Sequence, residues 1–383
     1  MSDVVIVEAV RTPVGRRDGK LSALQPVELG ALVLKEVVRR AGISPEDVDD
    51  VVMGCVTQTG EQGANIGRLS TLMAGFPVEV PAVSVNRMCG SSQQALHFAS
   101  QAIAAGDMDV VIAAGVESMS RVPIGSDMPQ AFPSDFPFRL VPQGISAEMM
   151  AEKWNISRSA LDRFSFESHQ KAAAATRAGY FEAEILPVEV TLSEGDCEMM
   201  TVDEGIRFEP DLEKMAALQP VFKEDGVITA GNASQISDGA AAVLLMNADR
   251  VEDLELRARA RIVARTVVGS DPVLMLSGPI PATRKVLAKA GLAVEDVDAF
   301  EVNEAFASVP LAWAQEIQPP LERVNPNGGA IALGHPLGAT GARLMVTLLH
   351  HLERTGGRFG LQTMCIGHGM ATATIIERLD EAS

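Results

Sequence analysis

Aromatic residues are scarce in this chain: 4% of its 383 residues are Phe, Trp or Tyr, with a single tyrosine and two tryptophans. Single-strand nucleic-acid binders stack bases on rings interleaved with Lys and Arg, and no such stripe is present. A net charge of −18 repels a polyanion as well. Nucleic acid is thereby excluded as a partner. A phosphorylated small molecule is not, because it needs only a local positive pocket. Cysteine is sparse too, and the four thiols (Cys55, Cys89, Cys197, Cys365) show no paired spacing. That speaks for reduced thiols and a cytoplasmic setting, in which the sequons at Asn155 and Asn232 are chance matches. The opening residues lack the basic and apolar segments of a secretory leader. No apolar run reaches membrane-spanning length, and the ending Glu381-Ala382-Ser383 matches neither a peroxisomal nor a prenylation signal.

What is abundant is small and apolar. Hydrophobic residues make up 47% and charged residues 21%, the balance of a globular protein with enough length for two or three domains. Ala, Val, Leu and Gly dominate, which predicts closely packed helices and strands, and the 17 methionines read as core filler.

The chain contains an internal echo. Ala41-Gly42-Ile43-Ser44-Pro45-Glu46-Asp47-Val48-Asp49 leads into the strand Val51–Gly54, and Ala290-Gly291-Leu292-Ala293-Val294-Glu295-Asp296-Val297-Asp298 leads into Ala299–Val302. A helical pattern precedes each copy; for the first it is Pro26 to Ala41. The turn at Cys89 and its helix precede the apolar strand 109–115, just as the glycine-rich turn 325–334 and its helix precede the strand 360–365. Matching order and spacing predict two copies of a βαβ-rich α/β unit. Parallel strands and helices trapped between two sheets are the expected arrangement. Between the copies, 118–231 changes texture to Pro, Met, Phe and Asp, with helical stretches at 146–154 and 159–178; an insertion of this length builds a lid or binding loop. The stretch 267–281 reads as irregular.

Chemistry concentrates at Pro81-Ala82-Val83-Ser84-Val85-Asn86-Arg87-Met88-Cys89-Gly90-Ser91-Ser92, a strand-to-helix turn. A thiol at a helix start faces unpaired N–H groups and the positive end of the dipole, which favours its thiolate and suits a nucleophile. Free cysteine is equally a buried apolar filler, so this turn alone leaves both roles open. Three later stretches offer a base, an acid and an oxyanion site. They are Asn303-Glu304-Ala305-Phe306-Ala307, the glycine-rich Gly328 to Gly338 containing His335, and Cys365-Ile366-Gly367-His368-Gly369. Each falls where a strand ends or a helix begins, where α/β folds meet their ligands. The glycine-rich blocks match neither a dinucleotide fingerprint nor a P-loop. Cys365 and His368 have a spacing that could open a zinc site, but no complementary pair follows, and no metal is expected.

Asn86–Ser91, Asn303–Phe306, Asn327–Pro336 and Cys365–Gly367 resemble the signature blocks of the thiolase family, in that family's order and spacing over essentially the whole chain. The resemblance implies an α/β thiolase-like fold: a duplicated domain giving α-β-α-β-α layers, with an inserted loop domain. The halves would be 1–117 plus about 232–256, and 257–383, with 118–231 as the coenzyme A-binding insertion. It implies a 3-ketoacyl-CoA thiolase or acetyl-CoA acetyltransferase acting through an acyl-cysteine. Cys89 would be the nucleophile, His335 its base and Cys365 the second acid/base. One oxyanion pocket would come from His335 and a water held by Asn303, the other from the N–H groups of Cys89 and Gly367. Coenzyme A and acyl-CoA would be substrates, with no permanently bound cofactor. Ser234 would touch the pantetheine arm, Met275, Ala305 and Phe306 the thioester end, and Arg207 the adenine-diphosphate end. A homodimer or homotetramer is implied as well.

Two departures from the family pattern stand out. The covering loop has Pro142-Gln143-Gly144 where short-chain members carry His-Met-Gly, which leaves room for longer or bulkier acyl chains and makes Gln143 a substrate-side candidate. His368 replaces a glycine beside Cys365; it would tune that thiol or fill the neighbouring wall, and the wall role is favoured. His97, His169, His350 and His351 lie in helical patterns and read as packing or surface residues. Decarboxylating ketoacyl synthases on a related fold pair their cysteine with two histidines, or with histidine and asparagine, and lack the second cysteine. A non-catalytic acyl-CoA binder has no need of two positioned thiols. Cys365 argues against both.

Overall fold

The computed structural model describes residues 3–191 and 195–380. Its strands in chain order are β1 (Val4–Arg11), β2 (Gly15–Arg16), β3 (Asp50–Gly54), β4 (Ala82–Val85), β5 (Val110–Ser118), β6 (Val188–Thr191), β7 (Cys197–Met200), β8 (Ser237–Asn247), β9 (Ala260–Gly269), β10 (Ala299–Val302), β11 (Phe359–Ile366) and β12 (Met370–Arg378). Nine of them form one path, β10-β11-β12-β9-β1-β8-β5-β3-β4, with β2 attached to β8 and β6–β7 a separate hairpin. All nine residues of β5 are buried, as a strand covered on both faces requires.

The duplication is visible in side-chain chemistry. Asp49 accepts from the N–H groups of Asp109 and Val110 and so fixes the start of β5; Asp298 accepts from Arg358 and Phe359 and fixes the start of β11. Asp47 and Asp296 reach back to the N–H groups of Ser44 and Ala293 in the same way, each closing a short 3₁₀ turn ahead of its strand.

Two features differ from the sequence reading. The half-sheets are not separate: β1 and β9 join them through the pairs Val5↔Arg261 and Ile6↔Ala260. Parallel pairing holds for β3 with β4 and β5 and for β10 with β11, while β8, β1, β9 and β12 run antiparallel to their neighbours. The stretch 267–281 is also more regular than expected. Val267–Gly269 finish β9, and Pro279 opens the helix Pro279–Ala290, where its missing N–H costs nothing in the first turn.

The helices Ser91–Ala105 and Thr340–Thr355 fill the layer between the half-sheets, with Leu96, Ile103, Met345 and Leu349 packed on Ile6, Val111, Val243 and Ile376. They cross with almost no gap. A Cβ on Gly341 would stand 2.3 Å from the Gln93 nitrogen, and the Ala342 N–H donates to Ser92 Oγ at 2.8 Å. Helices Pro26–Ala41 and Pro279–Ala290 cover the two outer faces. The inserted region is tied to the core by buried Arg11, which pairs with Glu184 and Asp203 at 2.6 and 2.7 Å. It carries the helices Gln143–Lys153 and Arg158–Arg177. No helix of the described residues is long and apolar enough to cross a membrane.

Candidate active site

The nucleophile turn is shaped by its neighbours. Asn86 Oδ1 accepts the Met88 N–H and holds Met88 at φ +45°, while Ser91 accepts from Arg87 N and donates to the Met88 carbonyl. Gly90 lets the turn lie against β11: a Cβ there would stand 2.4 Å from Ile366 Cδ1. Cys89, between Met88 and Gly90, is buried. Its sulfur faces three donors, the Gln143 side chain and the N–H groups of Cys89 and Gly367, yet burial outweighs them and pushes the thiol up to about 11. This corrects the sequence expectation that the helix start favours a resting thiolate. Desolvation of an anion in an apolar wall is the larger effect.

His335 follows Gly334, held at φ +103°, and its backbone N–H donates to Ser237 Oγ. The Thr340 hydroxyl donates to the Pro336 carbonyl at 2.7 Å, so its oxygen must accept from His335 Nδ1, also at 2.7 Å. That places the imidazole proton on Nδ1 and makes Nε2 an acceptor. Burial, aided by the charge of Arg343, pulls the imidazole down to about 3, so it is neutral at physiological pH. Asn303 Nδ2 lies 3.4 Å from Nε2, and Asn303 Oδ1 is buried without a partner, an acceptor suited to a water. The loop leading from His335 to its helix is held by buried Glu117 at the end of β5, which accepts from the N–H groups of Gly338, Val56 and Thr57.

Cys365 is the penultimate residue of β11 and packs with Met275, Ala305, Phe306 and Ile331. Burial first, then the nearness of Cys89, pushes its thiol well up, so it remains protonated at neutral pH. The turn between β11 and β12 presents Gly367 and His368. His368 sits at φ +63°, and its Nδ1 is buried without a partner. The sequence reading of it as wall filler gives only part of this arrangement, because the residue faces a cavity.

That cavity measures about 640 Å³. Cys89, His335, Gly367, Gln143, Ser234, Met275, Ala305 and Phe306 all line it, as does His368. Asn303 and Cys365 stand behind the wall rather than in it. Arg207 does not reach it. With His169 and Lys214 it lines a smaller cavity of about 290 Å³ that shares Ala233 and Gln235 with the larger one. Sequence reasoning passed over Met119, Ile124, Met128, Phe222 and Leu337, which close the large cavity on its apolar side. It also passed over Thr340, whose only signal was a hydroxyl at the start of the helix after His335. Among the described residues, no group of three or more His, Cys, Asp or Glu could hold a metal.

Comparison with known proteins covers both halves. The thiolase N-terminal domain model matches residues 4–249, and the thiolase C-terminal domain model matches 256–378. A steroid 3-ketoacyl-CoA thiolase of Mycobacterium tuberculosis is 52% identical, over 99% of this chain and 95% of the relative. A 3-ketoacyl-CoA thiolase of Aliivibrio fischeri is 45% identical, over 99% and 100%. The crystal structure of the Bacillus anthracis acetyl-CoA acetyltransferase superposes with a TM-score of 0.93 at 39% identity, covering 99% of each chain.

Proposed function

This chain belongs to the thiolase family, and on that premise we propose that Cys89, His335 and Cys365 carry its chemistry. It is an acyltransferase that cleaves 3-ketoacyl-CoA with coenzyme A to acetyl-CoA and a shortened acyl-CoA, a reaction that reverses as a Claisen condensation. In the proposed course, the Cys89 proton passes to His335 Nε2 and the sulfur attacks the 3-keto carbon. The C2–C3 bond breaks, and the departing acetyl-CoA carbanion takes the proton of Cys365. Coenzyme A then gives its thiol proton to the Cys365 thiolate and attacks the acyl carbon, and the Cys89 sulfur leaves and recovers its proton from His335. Protons balance over the cycle, and the chemistry calls on no resident cofactor.

The observation that carries this reading is the pair of N–H groups, from Cys89 and Gly367, aimed at the Cys89 sulfur. A carbonyl carbon bonded to that sulfur sets its oxygen within their reach. The enolate oxygen of acetyl-CoA falls to His335 and a water on Asn303 Oδ1. Resting thiols suit this cycle, because Cys89 need be charged only as it attacks and Cys365 must hold a proton to give. The two cavities, joined at Ala233 and Gln235, support a coenzyme A path from Arg207 past Ser234 to Cys89, with 118–231 as its covering layer. Incubating the enzyme with acetyl-CoA should leave an acetyl group on the peptide containing Cys89. Retained thiolysis by Cys89→Ala would refute the mechanism.

The acyl group we propose is bulky and apolar. Met119, Ile124, Met128, Phe222 and Leu337 supply the wall, and the relative named for steroid 3-ketoacyl-CoA supports it. Across a panel of 3-ketoacyl-CoAs, ring-bearing substrates should show a higher kcat/KM than acetoacetyl-CoA; the reverse order would overturn this. A homodimer or homotetramer is the proposed assembly, supported by exposed Leu69, Leu72, Val78 and Val83 beside β4, whose outer edge is unpaired among the described residues. Sedimentation that returns a monomer would refute it. Four unpaired thiols fit the proposed cytoplasmic setting.

A further inference from the structure

A third donor reaches the nucleophile, and neither oxyanion pocket accounts for it. The Gln143 carboxamide lines the large cavity together with Cys89 and Gly367, near enough to the Cys89 sulfur to favour its anion. Its Nε2 lies 3.5 Å from where a Cβ on Gly367 would stand, beside the residue whose N–H also favours that sulfur's anion. Gln143 opens the helix Gln143–Lys153, and the helix is held firmly. Ser146 Oγ donates to the Leu274 carbonyl, and buried Glu148 accepts from the N–H groups of Val227 and Ile228. Gly144 admits the Phe222 ring where a Cβ would stand 2.2 Å from it. A carboxamide on so fixed a base is pre-organised toward the sulfur.

We infer that Gln143 is a further catalytic residue, a neutral third donor shared in turn by the Cys89 thiolate and by the oxygen of the carbonyl it attacks. The inference rests on Cys89 being the nucleophile. As the proton leaves for His335, sulfur becomes an anion and its bond to the carboxamide gains charge assistance. Once the S–C bond has formed, the thioester sulfur is a poor acceptor. The donor then turns to the tetrahedral oxygen, two bonds from the sulfur. A lysine here would hold Cys89 ionised at rest, and a second imidazole would compete for the proton. A carboxamide does neither, which fits a thiol that stays protonated until substrate arrives.

The test uses the full-length enzyme and Gln143→Met, which keeps length and apolar volume but removes the donor. One readout is the rate of acetyl-Cys89 formation from acetyl-CoA in rapid-quench mass spectrometry. The other is the pH midpoint of Cys89 alkylation by iodoacetamide, read on the Cys89 peptide. Loss of one oxyanion-type donor should slow acylation by about 10²-fold, with KM for coenzyme A held within about twofold, and the alkylation midpoint should move to higher pH. A merely structural role would not move that midpoint in a variant of unchanged melting temperature. Gln143→Glu, of equal length, is the second variant: its carboxylate should slow acylation further at pH 8, with partial recovery as the pH falls and the carboxyl regains a proton to donate. Wild-type acylation rate and midpoint in both variants would overturn the role of Gln143 alone. Failure of the wild-type enzyme to form acetyl-Cys89 would overturn the underlying mechanism instead.

Discussion

At the scale of single residues, the site is governed by burial more than by charge. Cys89 has three donors on its sulfur and still sits at about 11, so its alkylation by iodoacetamide should keep accelerating toward pH 11, instead of levelling near the 9 of an exposed thiol. Rates followed on the Cys89 peptide, separate from exposed Cys197, will show which. Thr340 decides which nitrogen of His335 holds the proton. Thr340→Val should therefore lower kcat by about 10²-fold, the low end of what a positioned base contributes, and Thr340→Ser should restore most of it. Cys89, His335 and Cys365 were legible as a candidate set because each stands in a block that resembles a family signature; the structure brings Cys89 and His335 to one cavity, with Cys365 outside its lining. Thr340 was not legible, since a hydroxyl at a helix start has many uses and only its two hydrogen bonds single out this one. The resting thiol was misjudged because a linear sequence displays the helix start but not the apolar wall around it.

At the scale of elements, the two halves meet where the central helices cross. Gly341 is needed there, because any Cβ would strike backbone, which cannot swing aside as a side chain could. Gly341→Val should separate the helix behind His335 from the helix behind Cys89. We expect little folded protein, or a melting temperature well below wild type with thiolysis lost, measurable by circular dichroism and a thioester-absorbance assay. The repeated passages announced two equivalent units, and the structure answers with Asp49 and Asp298 performing one task in each. The seam between β1 and β9 was invisible. Two pairs between strands about 250 residues apart in the chain leave no local pattern. The antiparallel course of β8 was hidden for the same reason, since continuous burial reads alike in either direction.

For the whole molecule, buried histidines set the acid limit. Burial pulls His97 and His335 to about 3 and His169 and His351 to about 4, and lowers His350 as well. Each is neutral in the folded chain while its unfolded counterpart takes up a proton near 6.5, so folding stability is whole above that pH and drains away as pH falls through the window below it. Glu301, raised to about 8 by burial, acts in the opposite sense, as do Glu117 and Glu304. From pH 6.5 to 5 the five histidines outweigh them, and the melting temperature should fall steadily across that interval in differential scanning calorimetry. Composition foretold neither the limit nor its cause, because six histidines in a chain of this length carry no sign of where they lie.

The large cavity has one more property: among the described residues, neither lysine nor arginine lines it. Developing negative charge at Cys89 meets amide hydrogens, a carboxamide and an imidazole, with exposed Asp127 elsewhere in the lining, whereas Arg207 and Lys214 belong to the smaller chamber. Added potassium chloride finds no cation to screen in the large cavity and two along the path proposed for coenzyme A. Turnover at saturating substrate should thus be indifferent to ionic strength, while the concentration of coenzyme A needed to reach it climbs.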